Sequence, residues 1–252
     1  MKHQFVKTSQ FKAFRAAIAD VETRGAAEAG FCLVTGKAAL GKTAAVTQWA
    51  IEKGAVFMRA KVEWTPNYFY NELADALKVD ARGKAKERFG RLVAYLARHR
   101  TPLVIDEVEH TLKKSAEVLE AIRDLSDLTE IIVVVVGMDQ AQARIARHLQ
   151  LASRVARVVS FDAASVEDTA LVCREVCEVQ IDTDLIAEAH RQTGGRMREL
   201  MNVIATIERA AKRNGLAKIG LKDMAGQVLT HDWQARTSRT VPGAVATAAA
   251  AR

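Results

Sequence analysis

The feature that most constrains this chain of 252 residues is a glycine-rich segment between an apolar run and a helical pattern. Residues 36–43 match the pattern G-x-x-x-x-G-K-[ST] at every fixed position. Such a loop turns successive backbone N–H groups toward phosphate oxygens, at the positive end of the helix that follows. The pattern therefore predicts a nucleoside triphosphate site formed by Gly36, Lys37, Ala38, Ala39, Leu40, Gly41, Lys42 and Thr43.

The last two residues of this loop have distinct expected roles. Lys42 is expected to reach the β- and γ-phosphates of ATP, and the Thr43 hydroxyl is expected to hold Mg²⁺. The alternative is a glycine loop with an incidental lysine, and a chance match in a chain of this length has a probability on the order of one per cent. The strand before the loop and the helix after it favour the phosphate site, with ATP and Mg²⁺ as cofactors.

A second motif joins an apolar run to two acids. Residues 103–105 are Leu-Val-Ile, and Asp106 and Glu107 follow them directly. A carboxylate at the end of such a strand can complete the Mg²⁺ shell, which is the role predicted for Asp106. Glu107 is then placed to polarise a water for attack on the γ-phosphate. The alternatives are a solvated acidic turn, or a metal site using Glu107, Glu109 and His110 that no other ligand spacing supports.

Apolar runs alternate with amphipathic stretches through the first 160 or so residues. The runs lack apolar–polar alternation, which indicates strands covered on both faces and hence a parallel sheet sandwiched by helices. We expect strands at residues 31–35, 55–59, 103–105, 131–136 and 155–161. We expect helices at residues 42–52, 66–77, 84–99, 115–126 and 140–149. The predicted fold class is α/β, with a three-layer P-loop NTPase core.

The pattern changes after Asp162. Strand signals stop, and helical stretches follow at residues 165–177, 182–193, 197–213 and 221–229. From Thr237 onward the sequence turns to alanine, threonine, valine and glycine, which is typical of a frayed terminus. The predicted domains are an ATPase core at residues 1–162, an all-helical lid at residues 163–232 and a disordered tail at residues 233–252.

Composition excludes several classes of protein. Hydrophobic residues make up 49% of the chain and charged residues 27%, which is incompatible with wholesale disorder. The longest apolar run, residues 131–136, is far shorter than the ~20 residues that span a bilayer, and the first residues show no secretory signal. Cys32, Cys173 and Cys177 are too few for a disulfide framework, and we expect Cys173 and Cys177, four residues apart on one predicted helix, to be buried thiols. These observations predict a cytoplasmic protein without a membrane partner.

The net charge of +7 is concentrated in two basic regions, residues 78–100 and 191–239. This concentration favours a polyanionic partner such as nucleic acid, with a solvated helix face as the alternative. In the first region, two acids accompany a larger set of basic residues: Lys78, Arg82, Lys84, Lys86, Arg88, Arg91, Arg98 and Arg100.

The phosphate loop and the acidic strand together resemble those of AAA+ ATPases. Within that class, the chain resembles the transposition protein B family of Mu-like phages and related transposon target-selector ATPases. The resemblance extends over about residues 5–230 and rests on strings at residues 5–8, 32–36, 41–43, 103–110, 136–137 and 152–157. It implies an ATP-dependent protein that binds duplex DNA without sequence preference, forms filaments on it and delivers it to a transposase.

The resemblance also implies roles for arginines. AAA+ proteins carry an arginine just before the last core strand, and this arginine reaches the γ-phosphate held by the neighbouring subunit. Arg154 matches that place, with Arg157 as a second candidate. In the lid, Arg198 matches an arginine that senses the γ-phosphate, with Arg196 as the fallback.

One position departs from the AAA+ pattern. The fourth strand should end near a polar side chain that helps to position the attacking water, whereas residues 137–139 read Gly-Met-Asp. Met138 therefore occupies the expected place, Asp139 and Gln140 come next, and slow hydrolysis is expected. Relatives in the Mu-like family often carry an N-terminal helix-turn-helix module. The 35 residues before Gly36 are too few for it, so we expect the ATPase core and lid alone.

DNA contacts are expected from loops that face the channel of a ring or helical assembly. Lysines that contact phosphates give sequence-independent, salt-sensitive binding, and the bland alternative is a solvated surface. Trp64 and Tyr68 could stack on bases, although packing within the core is the stronger expectation. The candidate DNA contacts are Lys61, Lys84, Lys86, Lys113 and Lys114.

Three other functions fit parts of the same sequence. A helicase-loader-like or protein-remodelling AAA+ ATPase would share the core and the basic lid. A nucleotide-gated binding module with little hydrolysis would agree with the methionine at position 138. A membrane-associated secretion ATPase fits less well, because no membrane anchor is visible in the sequence.

Overall fold

The computed structural model describes residues 1–112, 116–232 and 237–242, so residues 233–236 and 243–252 of the expected tail lie outside the described residues. The chain forms two compact units. One contains residues 11–38 and 42–161, and we call it the core unit. The other contains residues 1–10 and 39–41 together with the described residues from 162 onward, and we call it the C-terminal unit.

The core unit is built on a sheet of five parallel strands. These are β1 (Phe31–Thr35), β2 (Val56–Arg59), β3 (Leu103–Asp106), β4 (Val133–Val136) and β5 (Val155–Ser160). Their order in space is β2-β3-β4-β1-β5, so the strand that leads into the phosphate loop lies between β4 and β5. Every residue of β1, β3 and β4 is buried, as expected for apolar strands covered on both faces.

Helices precede, connect and follow these strands. They are α1 (Ser9–Glu22), α2 (Lys42–Lys53), α3 (Pro66–Leu77), α4 (Ala85–His99), α5 (Glu117–Thr129), α6 (Gln140–Ile145) and α7 (Leu149–Ala152). Helix α3 begins as the sequence predicts, because Pro66 tolerates the first turn and the Thr65 hydroxyl accepts a hydrogen bond from the Tyr68 N–H at 3.2 Å. The single helix expected at residues 140–149 is instead divided into α6 and α7. The predicted three-layer α/β class is confirmed.

The C-terminal unit is mainly helical but also contains short strands. Its elements are α8 (Val166–Val176), β6 (Gln180–Ile181), α9 (Thr183–Thr193), α10 (Met197–Arg213), β7 (Lys218–Ile219), β8 (Val228–Asp232) and β9 (Thr237–Thr240). The prediction of a helix at residues 221–229 is wrong. A short 3₁₀ turn (Lys222–Met224) precedes β8, and Gly226 between them has φ 73°, a conformation that interrupts a helix.

A buried glutamine fastens the terminal hairpin to α9. The side-chain amide of Gln192 donates to the Thr240 carbonyl at 3.2 Å, and its oxygen accepts from the Thr230 hydroxyl at 3.1 Å. Arg239 donates to the Gln192 carbonyl at 2.8 Å. Because Gln192 is only 1% exposed, these hydrogen bonds satisfy polar groups that water does not reach.

The first residues of the chain pack within the C-terminal unit, which the sequence does not indicate. The Lys2 N–H donates to the Val176 carbonyl at 2.8 Å, and the Ser9 N–H donates to Asp168 at 2.9 Å. Burial acts to raise the pKa of Glu208, but hydrogen bonds from its neighbours, including Lys212 at 2.9 Å, lower that pKa to about 2. The unit therefore contains a carboxylate that stays ionised although it is buried.

The three cysteines are free and buried, which confirms the expectation of buried thiols at Cys173 and Cys177. Burial raises the pKa of Cys32 and of Cys173 to about 12, and it also raises the pKa of Cys177. No helix in the described part of the chain has both the length and the apolar character needed to cross a membrane.

Candidate nucleotide site

The phosphate loop connects the end of β1 to the start of α2. Gly36 follows the strand directly with φ 140°, and a Cβ at this position would lie 2.4 Å from the Phe161 carbonyl oxygen. Gly41 also has a positive φ, of 92°. The glycine at position 36 is therefore required by both the backbone conformation and the close approach of the chain after β5.

Lys42 is folded over the loop that precedes it. Its Nζ donates to the carbonyl oxygens of Gly36 at 2.5 Å and Lys37 at 2.7 Å, and the residue is only 8% exposed. Burial lowers the pKa of Lys42, while the carboxylates of Glu109, Asp139 and Asp106 act to raise it. The result is a partly desolvated cation in a loop whose conformation suits phosphate.

Asp106 and Thr43 meet beside this lysine, as the sequence predicts. The Thr43 hydroxyl donates to Asp106 Oδ2 at 3.1 Å, and Asp106, at the end of β3, is only 3% exposed. Among the described residues, no group of three or more acids, histidines or cysteines has the geometry of a metal site. A hydroxyl and one carboxylate nevertheless fit Mg²⁺, because this ion prefers oxygen ligands and takes the others from phosphates and water.

Glu107 lies in a conformation that is unusual for a residue other than glycine. Its φ is 56° and its ψ is 44°, and its side chain is 49% exposed. The carboxylate is flanked by two basic side chains, with Arg59 Nε at 3.5 Å and His110 Nε2 at 3.6 Å. The candidate base is thus accessible to water and only loosely paired.

Arg59 is a part of the site that the sequence analysis missed. It ends β2 and lies opposite Asp106 in the register of the parallel pair, with its guanidinium 3.6 Å from Asp106 Oδ2. The sequence does place a cation at the end of a predicted strand. Only the pairing of β2 with β3 shows that this cation lies beside Asp106 and Glu107. Arg59 places a positive charge between the carboxylates predicted to hold the metal and to activate water.

Glu109 also enters the site without having been assigned a role of its own. Its carboxylate accepts a hydrogen bond from the N–H of Met138, in the loop that follows β4. Glu109 and Asp139 both act electrostatically on Lys42, so the loop expected to carry the sensor residue does lie near the phosphate loop. Met138 is 42% exposed. The alternative metal site of Glu107, Glu109 and His110 has no support among the described residues.

The candidate arginines occupy different surroundings. Arg154 immediately precedes β5, so it lies at the edge of the sheet opposite the phosphate loop, and it pairs with Asp127 at 2.9 Å. Arg157 pairs with Asp20 at 2.9 Å. In the C-terminal unit, Arg198 is exposed near the start of α10, whereas Arg196 pairs with Glu199 at 2.7 Å. Their proposed contacts with nucleotide stay predictions.

The candidate DNA-binding lysines also differ from one another. Lys61 forms an ion pair with Glu72, and its Nζ lies 5.5 Å from the centre of the Tyr68 ring. Lys84 and Lys86 are exposed around the start of α4 and have no ion pair among the residues that the structure describes. Lys113 and Lys114 lie outside the described residues. Trp64 is 7% exposed and packs against Phe69, consistent with a place in the core.

Comparison with known proteins agrees with this geometry. Residues 25–145 match the family model of an AAA domain. The structure is similar to Cdc6p from Pyrobaculum aerophilum, with 17% identity and a TM-score of 0.58 over 88% of this chain and 68% of that chain. It is also similar to the Aeropyrum pernix Orc1 protein, solved in complex with DNA, with 15% identity and a TM-score of 0.54 over 86% of this chain and 63% of that chain.

No curated protein matches the sequence. The similarity to the solved structures is at low sequence identity, so it concerns the fold. Residues 25–145 are therefore similar to an AAA domain, and the fold of the chain is that of the AAA+ P-loop NTPases.

Proposed function

We propose that this protein is a Mg²⁺-dependent ATPase whose nucleotide state controls its assembly on duplex DNA. The observation that carries the proposal is the arrangement of Lys42, Thr43, Asp106 and Glu107 at the carboxyl ends of β1 and β3. These residues supply a phosphate cradle, a pair of oxygen ligands and an accessible carboxylate. This combination serves hydrolysis of a phosphoanhydride, and the AAA domain match supports it.

Each residue has a defined part in the proposed reaction. Lys42 and the loop N–H groups bind and orient the β- and γ-phosphates, and Glu107 takes a proton from the attacking water. The oxygen of that water bonds to the γ-phosphorus, the bond to the bridging oxygen breaks, and its electron pair stays on ADP. Asp106 and Thr43 would hold Mg²⁺, which when bound neutralises charge on the phosphates.

Phosphate release measured with wild type and Glu107→Gln tests the reaction. The substitution removes the proton acceptor at nearly constant size, so we expect kcat to fall about 10²- to 10⁴-fold with little change in ATP affinity. Glu63→Gln, an exposed acid outside the site, is the matched control. Turnover that survives Glu107→Gln, or a wild type that does not hydrolyse ATP with or without DNA, would contradict the proposal.

We further propose that the γ-phosphate joins neighbouring subunits, which follows from the resemblance to target-selector ATPases. Arg154 would reach nucleotide held by the adjacent subunit, and Arg198 would sense it from the C-terminal unit. The pairs Arg154→Ala with Arg157→Ala, and Arg198→Ala with Arg196→Ala, test these assignments. We expect only Arg154→Ala and Arg198→Ala to prevent ATP-dependent assembly, as followed by sedimentation and electron microscopy.

Duplex DNA is the proposed polyanionic partner. The basic stretch of α4 supports it, and the similar Orc1 protein was solved in complex with DNA. Anisotropy of a labelled random duplex with ATP, ADP or no nucleotide, over a range of salt, measures the binding. Because Lys84 and Lys86 have no ion pair among the described residues, we expect their replacement by alanine to lower the salt slope more than Lys61→Ala. Binding that is indifferent to nucleotide would contradict the proposed switch.

Delivery of DNA to a transposase is the most specific part of the proposal. It rests on the resemblance to the transposition protein B family. We expect a cognate transposase to insert preferentially into DNA that carries the ATP-bound protein, as read from strand-transfer products. A helicase-loader-like or protein-remodelling ATPase would instead form discrete particles rather than filaments on DNA in electron microscopy.

A nucleotide-gated binding module with little hydrolysis is the second candidate. It is favoured by two observations, the pairing of Arg59 with Glu107 and the methionine at position 138. Single-turnover measurement with excess protein distinguishes the two. ATP that remains intact in a DNA-bound assembly over many minutes would favour the binding module over the ATPase.

A further inference from the structure

We infer that Glu109 is a positioning residue for ATP hydrolysis, which connects the loop after β3 to the loop after β4 and so fixes the backbone that carries Glu107. The inference deepens the proposed ATPase function and rests on it. Its basis is the junction formed by Val108, Glu109, Gly137 and Met138, which we call the β3–β4 clamp.

The hydrogen bonds of the loop after β4 show what Glu109 supplies. The Gly137 N–H continues the hydrogen-bonding pattern of the sheet, because it donates to the Val34 carbonyl of β1 at 2.9 Å. One residue later the chain has left the sheet, and the Met138 N–H donates to the Glu109 carboxylate instead. The acceptor for this backbone donor therefore comes from the loop of the neighbouring strand and not from the sheet. A charged acceptor makes this a strong contact.

Steric space in the clamp leads to the same conclusion independently. A Cβ on Gly137 would lie 2.8 Å from Val108 Cγ1, 2.7 Å from Ala141 Cβ and 3.0 Å from Glu109 Oε1. Real side chains do not approach so closely, so the two loops meet only because residue 137 has no side chain. Glu109 and Gly137 are distant from each other in the sequence, but the contact between the two loops needs both of them.

The clamp acts on Glu107 through the 3₁₀ turn that begins after it. The His110 N–H donates to the Glu107 carbonyl at 3.1 Å, and the Thr111 hydroxyl donates to the Val108 carbonyl at 2.7 Å. Glu107 itself has φ 56°, a conformation that persists in a non-glycine residue only when its surroundings enforce it. Glu109 attaches this turn to the adjacent loop and thereby holds Glu107 in place.

The same contact keeps two carboxylates near Lys42. Glu109 and Asp139 both act electrostatically on that lysine, and Asp139 follows Met138 directly. The clamp therefore sets the position of the base and of the acidic loop relative to the phosphate loop. We expect its loss to affect the chemical step more than nucleotide binding.

Two substitutions at position 109 test the inference. Glu109→Gln keeps an oxygen that can accept from Met138, so we expect kcat within about three-fold of wild type. Glu109→Ala removes the acceptor, and we expect kcat to fall about ten-fold or more while the ATP dissociation constant changes less than about three-fold. Gly137→Ala, which opens the clamp from the other side, should produce the same split.

Three outcomes would overturn the inference. Equal loss of kcat in Glu109→Gln and Glu109→Ala would assign the effect to charge, and unchanged kcat in both would remove the role altogether. Parallel loss of ATP affinity and kcat would indicate general damage. If thermal unfolding shows that Glu109→Ala does not fold, the other two variants test the inference. It then requires a kcat near that of wild type in Glu109→Gln and a fall in kcat without loss of ATP affinity in Gly137→Ala. Failure of the proposed ATPase function can be told apart from failure of this inference. In the first case wild type would not hydrolyse ATP or Glu107→Gln would still do so, whereas in the second case only the variants at positions 109 and 137 would depart from expectation.

Discussion

The two edges of the five-stranded sheet hold their charges in different ways. At the carboxyl edge, where the strands end, Arg59 lies 3.6 Å from Asp106 and His110 lies 3.6 Å from Glu107. At the amino edge, where the strands begin, Arg154 lies 2.9 Å from Asp127 and Arg24 donates to the Glu130 carbonyl at 2.7 Å. The ion pairs of the two acids are thus longer at the carboxyl edge than the Arg154–Asp127 pair is at the amino edge, although Lys42 at the carboxyl edge donates to loop carbonyls at 2.5 and 2.7 Å.

This difference separates groups that stabilise the fold from groups that can act on a ligand. A short pair uses the hydrogen-bonding capacity of both partners, whereas a carboxylate paired at 3.5 Å or more keeps lone pairs for a metal or a proton. Backbone conformation also differs between the two edges. At the amino edge, Glu130 has a left-handed conformation because it is the C-cap of helix α5, and its N–H donates to the Ser126 carbonyl. At the carboxyl edge, left-handed Glu107 follows a strand at the site itself.

The strongest test of this comparison removes one cation from each edge. Lys42→Ala should weaken ATP binding about 100-fold, since charge-assisted hydrogen bonds to phosphate are worth about 1.5–3 kcal/mol each. Arg24→Ala should lower thermal stability while ATP affinity stays near that of wild type. Isothermal titration calorimetry and thermal unfolding measure the two effects, and Lys12→Ala, at an exposed lysine outside the loop, is the control. Equal loss of affinity in the two edge variants would break the comparison.

A pair of glycine substitutions, Gly36→Ala at the carboxyl edge and Gly30→Ala at the amino edge, tests the same difference between the two edges of the sheet. An alanine Cβ at Gly36 would lie 2.4 Å from the Phe161 carbonyl oxygen, and one at Gly30 would lie 2.8 Å from the Ile131 carbonyl oxygen. Both variants should lose stability, on the order of 1–3 kcal/mol for strain of this kind. Gly36→Ala should also weaken ATP binding about ten-fold and Gly30→Ala should not, because Gly36 belongs to the loop proposed to hold phosphate. Denaturant unfolding with and without ATP gives both values, and a Gly30→Ala variant with impaired binding would contradict the assignment.

Smaller effects are expected from Arg59. Its guanidinium repels a metal held by Asp106, so Arg59→Ala should lower the Mg²⁺ concentration for half-maximal turnover about two- to five-fold, as for an exposed pair worth ~0.5–1 kcal/mol. Stability should change little. Arg154→Ala, at the other edge, should leave the Mg²⁺ dependence unchanged whatever it does to kcat. A higher Mg²⁺ requirement in Arg59→Ala would show that Arg59 supports the metal site instead.

The smallest expected effect is on pH dependence. Burial lowers the pKa of Lys42 below its ordinary 10.5, so as pH rises the folded protein loses this proton before the unfolded chain does. ATP binding should therefore weaken by less than about two-fold on the alkaline side, below pH 10.5. Lys42→Arg keeps its charge at such pH and should flatten the profile of the ATP dissociation constant. An identical alkaline decline in Lys42→Arg would rule out Lys42 as its source.

The motifs that sequence reasoning found are local, and this explains which parts of the site it found. Lys42 and Thr43 belong to one continuous loop, and Asp106 with Glu107 ends one strand, so adjacent residues suffice to define them. Arg59 joins the site only because β2 pairs with β3 in the sheet. A composition or spacing pattern contains no information about that neighbour.

Errors of secondary structure have similar causes. Helix α1 is not among the predicted elements, although its buried residues, Phe11, Phe14, Ile18 and Val21, follow a helical period. The expected helix at residues 221–229 fails because Gly226 breaks it and Leu229 joins a hairpin. The anchor of that hairpin, Gln192, lies well before it in the chain, and a polar residue in a helix does not by itself indicate such a contact.

The strand order has a consequence for the nascent protein on the ribosome. The strand β1 is made early, but its partners β4 and β5 begin only at Val133 and Val155. Until both have left the exit tunnel, β1 is an apolar segment with two unpaired edges, which invites association with other chains. We therefore expect the loop that follows β1 to become ordered only after β4 and β5 have been made. A nucleotide bound to that loop would then stabilise the finished core without guiding the first half of its synthesis.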